Sequence, residues 1–122
     1  KWVKQSIHYW CPDTKEQKIS GQNVTVAILD TGISPHPDFK GRILSFRDFS
    51  NTTGSSEKVL FSFSHFSPLI DNSGHGTHVA GILAGSGLLS SGTYAGIAPF
   101  CNLIIGKVLD QNGNGSIKNV IN

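Results

Sequence analysis

The sequence predicts an α/β fold built on a parallel sheet flanked by helices. Three observations point there. Val24-Thr25-Val26-Ala27-Ile28-Leu29 is a short, β-branched apolar run that ends in the polar turn Asp30-Thr31-Gly32. A helical pattern runs from His75 to about Gly85, and a second apolar run spans Asn102 to Leu109. Near-continuous apolar runs suit strands covered on both faces, and strands separated by helices favour a parallel sheet.

Taken in order, residues 1–22 read as a lead-in segment and residues 23–122 as part of one domain. The lead-in is polar and aromatic, with Pro12 as a breaker, and allows a helical turn. After the first strand, Pro35 and Pro37 keep the chain extended. Arg42 to Phe49 alternates polar and apolar residues, as a second strand would. Asn51 to Ser56 is rich in turn formers, and Val59 to Ile70 is an aromatic-serine stretch that reads as a surface insertion. Ser73 is the expected N-cap of the helix, Val79, Ile82 and Leu83 its apolar face, and Gly85 and Gly87 its stop signals. Leu88 to Tyr94 is a loop. Asp110 to Gly115 is a turn after the third strand, and Ser116 begins a further helix. In such sheets ligands bind beyond the carboxyl ends of the strands, which is where Asp30 stands.

Composition narrows the classes. The 122 residues are 38% hydrophobic and 15% charged, an ordinary globular balance with room for one domain at most. A formal net charge of +2 is too small to argue for nucleic acid or a membrane surface as partner. No apolar run reaches the ~20 residues of a membrane span. The chain opens at Lys1 without an initiator Met, which reads as a processed or excised piece and leaves the compartment unassigned. Cys11 and Cys101 are expected to be two free, small packing thiols.

Two segments carry chemistry: Ala27-Ile28-Leu29-Asp30-Thr31-Gly32-Ile33 and Gly74-His75-Gly76-Thr77-His78-Val79-Ala80-Gly81. An Asp after an apolar strand is usually a turn residue. Two histidines three apart on a helix do not match the zinc pair, which is spaced by four around a Glu, so no metal is assigned to them. Asp110 to Gly115 mimics the start of an EF-hand loop, but the twelfth position is Ile121 rather than Glu, and that reading is rejected.

Together, in this order, the two segments resemble the aspartate and histidine motifs of the subtilisin-like serine proteases (subtilases). Gly96-Ile97-Ala98-Pro99 with Leu103 to Leu109 resembles the family's next loop and strand, and Gly113-Asn114-Gly115 its substrate-side loop. The resemblance covers most of Gly21 to Asn122 and implies the N-terminal part of a subtilisin-like α/β domain, incomplete in this chain. It implies a serine endopeptidase in which Asp30 is the orienting carboxylate and His75 the general base and acid. Acyl transfer needs a serine oxygen activated by imidazole, and the imidazole needs a carboxylate on its other nitrogen. Gly74 and Gly76 are expected to leave room for substrate, with Thr77 and His78 in supporting roles.

The resemblance also implies that Gly113, Asn114 and Gly115 pair with an extended polypeptide substrate, adding a strand. It implies that Leu109 walls the subsite beside the scissile bond, and that Ile117 and Val120 line an apolar subsite farther along. For Val120 an ordinary core role weighs equally. The family's Gly-Thr-Ser segment is not found: Gly76-Thr77 precedes His78, and Gly92-Thr93 precedes Tyr94. The expectation is therefore a fragment, inactive alone, whose partner is the remainder of its own domain and which, with apolar surface uncovered, either self-associates or melts with poor cooperativity. The alternative is a pseudoprotease acting as a binding or regulatory module. No cofactor is required. Asp48 matches a calcium-binding position of some members, but the loop expected to complete it, Leu88 to Tyr94, offers serines and a threonine, and structural calcium is not favoured.

Overall fold

The structure, a computed structural model, describes residues 2–7, 20–50, 58–59 and 69–121. The insertion expected at Val59 to Ile70 and the thiol of Cys11 lie outside the described residues, apart from the backbone of Val59 and residues 69–70. Helix α1 is Trp2–Ser6, followed by strand β1, Thr25–Asp30, and strand β2, Ile43–Asp48. Strand β3 is the two-residue Lys58–Val59, helix α2 is His75–Ala84, strand β4 is Asn102–Lys107 and helix α3 is Ile117–Ile121.

The sheet order is β1-β4-β2-β3. β1 pairs parallel with β4 from Thr25↔Asn102 to Asp30↔Lys107, and β2 pairs parallel with β4 up to Asp48↔Lys107. The carboxyl ends of all three strands therefore share one edge. β3 adds a short antiparallel rung to β2, which the sequence reading did not contain.

The core lies on one face of this sheet. Ile28, Phe46, Leu103 and Ile105 are buried there with Ile33, Phe39, Ala80, Ala84 and Cys101. The opposite face carries exposed apolar side chains among the described residues: Leu29 is 54% exposed, Leu44 47% and Ile104 41%. Leu29 and Ile104 alternate with the buried set, Leu44 sits at the register shift between Ile43 and Ser45, and α2 packs on the other side, so the described residues cover one layer only. The inner face of α2 is corrected. It is the stripe Gly76, Ala80 and Ala84, flanked by the half-buried Val79 and Leu83, while Ile82 points outward. Small residues let the helix axis lie close to β1.

Arg42 ties the layers together. Its guanidinium donates to the Ala84 carbonyl at the end of α2 (2.5 Å), to the Cys101 carbonyl ahead of β4 (2.9 Å) and to the Asp38 carbonyl. Cationic side chains satisfy the last carbonyls of a helix in this way. α1 is moored through Lys4, whose ammonium donates to the carbonyls of Ala95 (2.6 Å) and Gly96 (3.2 Å).

Candidate active site

β1 delivers Asp30 to the shared carboxyl edge. Its backbone carbonyl accepts from the amides of Val108 (2.9 Å) and Leu109 (3.2 Å), fixing it against the chain leaving β4. Its carboxylate Oδ1 accepts from the Thr31 amide at 2.6 Å. α2 begins at His75, and its preceding residue Gly74 is left-handed, at φ 88°. Glycine takes that conformation without strain.

Ser73, expected as N-cap, does not cap the helix. Asp71 does that work. Its Oδ1 accepts from the amides of Ser73 (3.1 Å) and Gly74 (2.8 Å), and its Oδ2 from the amide of Thr77 (2.8 Å). A charged carboxylate satisfies several first-turn donors and complements the helix dipole, which a serine hydroxyl cannot match. Burial alone would raise the Asp71 pKa. The Thr77 hydroxyl and amide, the Gly74 amide and the Thr31 hydroxyl overcome that and hold it well below the usual carboxylate range.

The two elements bring the predicted pair together: His75 Nδ1 lies 2.8 Å from Asp30 Oδ1. A carboxylate only accepts, so Nδ1 carries the proton and the neutral ring presents its Nε2 lone pair. The carboxylate side is 12% exposed and the imidazole side 66%. One partner is thus sheltered and the other faces outward. The hydrogen bond to Asp30, and then the Asp30 charge, raise the His75 pKa.

A family model described as the Subtilase family matches residues 21–122. This chain is a subtilase. It is 45% identical over 105 residues to the Serine protease AprX of Bacillus subtilis (strain 168), covering 86% of this chain and 21% of that protein. It is 38% identical over 113 residues to the Major intracellular serine protease of the same organism, covering 91% of this chain and 32% of that protein. The solved structure of the Clostridium Perfringens CspB protease matches with a TM-score of 0.73 at 25% identity, over 95% of this chain and 27% of that one. The subtilase chain here therefore spans about a fifth to a third of the length of these two curated relatives.

The remaining expected residues fall around the same edge. Leu109 is half-buried and its amide is bonded to Asp30. Asn114 closes the loop that follows, its carbonyl accepting from the Asp110 amide at 2.8 Å. Gly113 is left-handed at φ 79°, and a Cβ on Gly115 would meet the Val108 carbonyl at 2.5 Å, so both glycines also serve the loop's own shape. Ile117 is exposed in α3, and Val120 is half-exposed.

Gly76 is corrected. It is buried, and a Cβ there would meet the Gly32 carbonyl at 2.2 Å, so it serves close packing of α2 on the loop after β1 rather than open space for substrate. The loop Leu88 to Tyr94 and Asp48 have separate hydrogen-bond partners. The Leu89 amide donates to Asp38 Oδ1 (3.3 Å), while Asp48 Oδ1 accepts from the Ser50 amide (2.8 Å) and hydroxyl (2.6 Å). Among the described residues, no group of three or more His, Cys, Asp or Glu side chains is gathered for a metal.

Two residues escaped the sequence reading. Lys107 is buried on the same face as Asp30, and its ammonium donates to the Thr31 carbonyl at 2.7 Å. Asp71 stands three residues ahead of the N-cap Gly74, outside the position that the local capping pattern marks.

Proposed function

We propose that this subtilase chain supplies the base and the orienting carboxylate of a serine endopeptidase. His75 Nε2 takes the proton from a serine hydroxyl as that oxygen attacks the scissile carbonyl. It then delivers the proton to the departing amine, leaving an acyl-enzyme that water hydrolyses. Asp30 holds the Nδ1–H tautomer and stabilises the imidazolium between these steps. The observation that carries this reading is the 2.8 Å Nδ1–Oδ1 contact between a sheltered carboxylate and an outward-facing ring.

The nucleophile belongs to residues outside this chain. In support, no serine here stands in a Gly-Thr-Ser segment, and among the described residues no serine hydroxyl bonds the His75 ring. The substrate class is an extended polypeptide, laid along the Gly113-Asn114-Gly115 loop with Leu109 beside the scissile bond and Ile117 farther along. The loop's origin next to Asp30 supports that placement.

The test is His75→Ala in the intact protein, assayed on a peptide ester. The expected loss is about 10⁶-fold in kcat, the scale associated with removing this histidine in subtilisin. His78→Ala, at an exposed position one turn on, costs little. The 122-residue chain alone takes no label from a fluorophosphonate probe. Near-normal turnover by His75→Ala, or stoichiometric labelling of the chain alone, sinks the proposal.

A further inference from the structure

Asp30 and His75 come from segments 45 residues apart, and their 2.8 Å contact needs something to fix the distance between them. Thr31 and Asp71 stand on either side of that gap. Every polar group of Thr31 is engaged. Its amide donates to Asp30 Oδ1 (2.6 Å) and its carbonyl accepts from Lys107 (2.7 Å). Its hydroxyl donates to Asp71 Oδ1 (2.8 Å) and accepts from the Gly76 amide (2.9 Å). Asp71 in turn holds the first turn of α2 through the amides of Ser73, Gly74 and Thr77. It also accepts from the Thr77 hydroxyl at 2.5 Å, and that hydroxyl accepts from the Ser34 amide at 2.9 Å.

We infer that Asp71 is a positioning residue: one carboxylate spans the loop after β1 and the first turn of α2, and through Thr31 and Gly76 sets the Asp30–His75 distance. It touches neither reacting atoms nor substrate. The division of labour between its oxygens makes the charge state matter. Oδ1 serves the β1 side and the Ser73 and Gly74 amides, and Oδ2 serves Thr77. All five partners donate. An asparagine of the same shape must turn its NH2 group toward one set of donors, so it can serve only one side of the clamp.

The inference rests on the peptidase reading for its kinetic arm only. Asp71→Asn and Thr31→Val are made in the intact protein. Thr31→Val removes the bridging hydroxyl but leaves the Asp71 charge in place, so any change at His75 reports geometry rather than lost charge. Imidazole NMR follows the Nδ1 proton shared with Asp30 and the His75 titration. Kinetics on a peptide ester follow kcat and KM.

The expected result is loss of the low-field Nδ1 proton and a fall of the His75 pKa toward the ordinary histidine value in both variants. kcat falls about 10²-fold, the cost of a misplacement of about 1 Å, with KM unchanged. Asp48→Asn removes a carboxylate whose side-chain hydrogen bonds, among the described residues, go to nearby Ser50, and it leaves both readouts as in the parent. A lower Tm with the His75 signals and kcat intact overturns the inference, as does an equal loss in Asp48→Asn. If Asp71→Asn does not fold, Thr31→Val decides. If the parent hydrolyses no ester, the peptidase reading fails while the NMR arm still decides the role of Asp71.

Discussion

Gly76→Ala tests how the site is assembled. A Cβ at Gly76 would stand 2.2 Å from the Gly32 carbonyl oxygen, 3.0 Å from the Gly32 nitrogen and 3.1 Å from Thr31 Oγ1. The first distance is roughly 1 Å inside an ordinary non-bonded separation. Gly32 is itself closely packed, since a Cβ built on it would meet the Ile70 carbonyl at 2.0 Å, and its φ of 116° fits glycine. The strain must move α2. A shift of about 1 Å at its first turn stretches the 2.8 Å His75–Asp30 contact beyond hydrogen-bonding range. Overpacking of this kind costs about 1–3 kcal/mol of stability, and the misplaced base costs about 10²-fold in kcat. Calorimetry of the intact protein, imidazole NMR of His75 and ester kinetics read the three effects. A variant that melts with the parent and keeps the elevated His75 pKa would refute the reasoning, since α2 would then have had room to spare.

Two further outcomes follow from the same geometry. Asp30 raises the His75 pKa through a hydrogen bond and its charge. Asp30→Asn therefore lowers it, and because the base works as the neutral ring, the acid limb of kcat/KM moves to lower pH while kcat falls about 10⁴-fold; a limb that stays put or moves to higher pH contradicts the pairing. Cys101 is a free thiol, fully buried ahead of β4, and burial pushes its pKa up. It is expected to react with a thiol reagent only on unfolding, and thiol titration of denatured, unreduced protein is expected to count two; a count of zero with unchanged mass shows a bridge to Cys11.

The strands, the main helix and the candidate pair were legible in the sequence because each is written in covalent neighbours. An apolar run ending in Asp30-Thr31-Gly32 describes a buried strand and its exit. Gly74-His75-Gly76 at the head of a helical pattern describes where a side chain leaves a first turn. Even so, a local pattern could misassign partners, as it did for the N-cap. Ser73 and Asp71 both stand close enough to cap α2, and the choice fell to the carboxylate because it also reaches Thr31, 40 residues away.

What the tertiary structure alone decided are the contacts between segments that share no local pattern. The Lys107 ammonium reaches the Thr31 carbonyl across 76 residues, since the register Asp30↔Lys107 sets the two side by side. Gly76 is glycine because another backbone lies against it, a fact absent from its own neighbourhood in the sequence. Leu29 and Ile104 read as buried from their apolar character, yet the sheet turns them to the face that the described residues leave uncovered. Hydrophobicity says that a side chain favours burial. Which face receives cover depends on where the chain places its helices, and that is settled only when strand order and packing are formed.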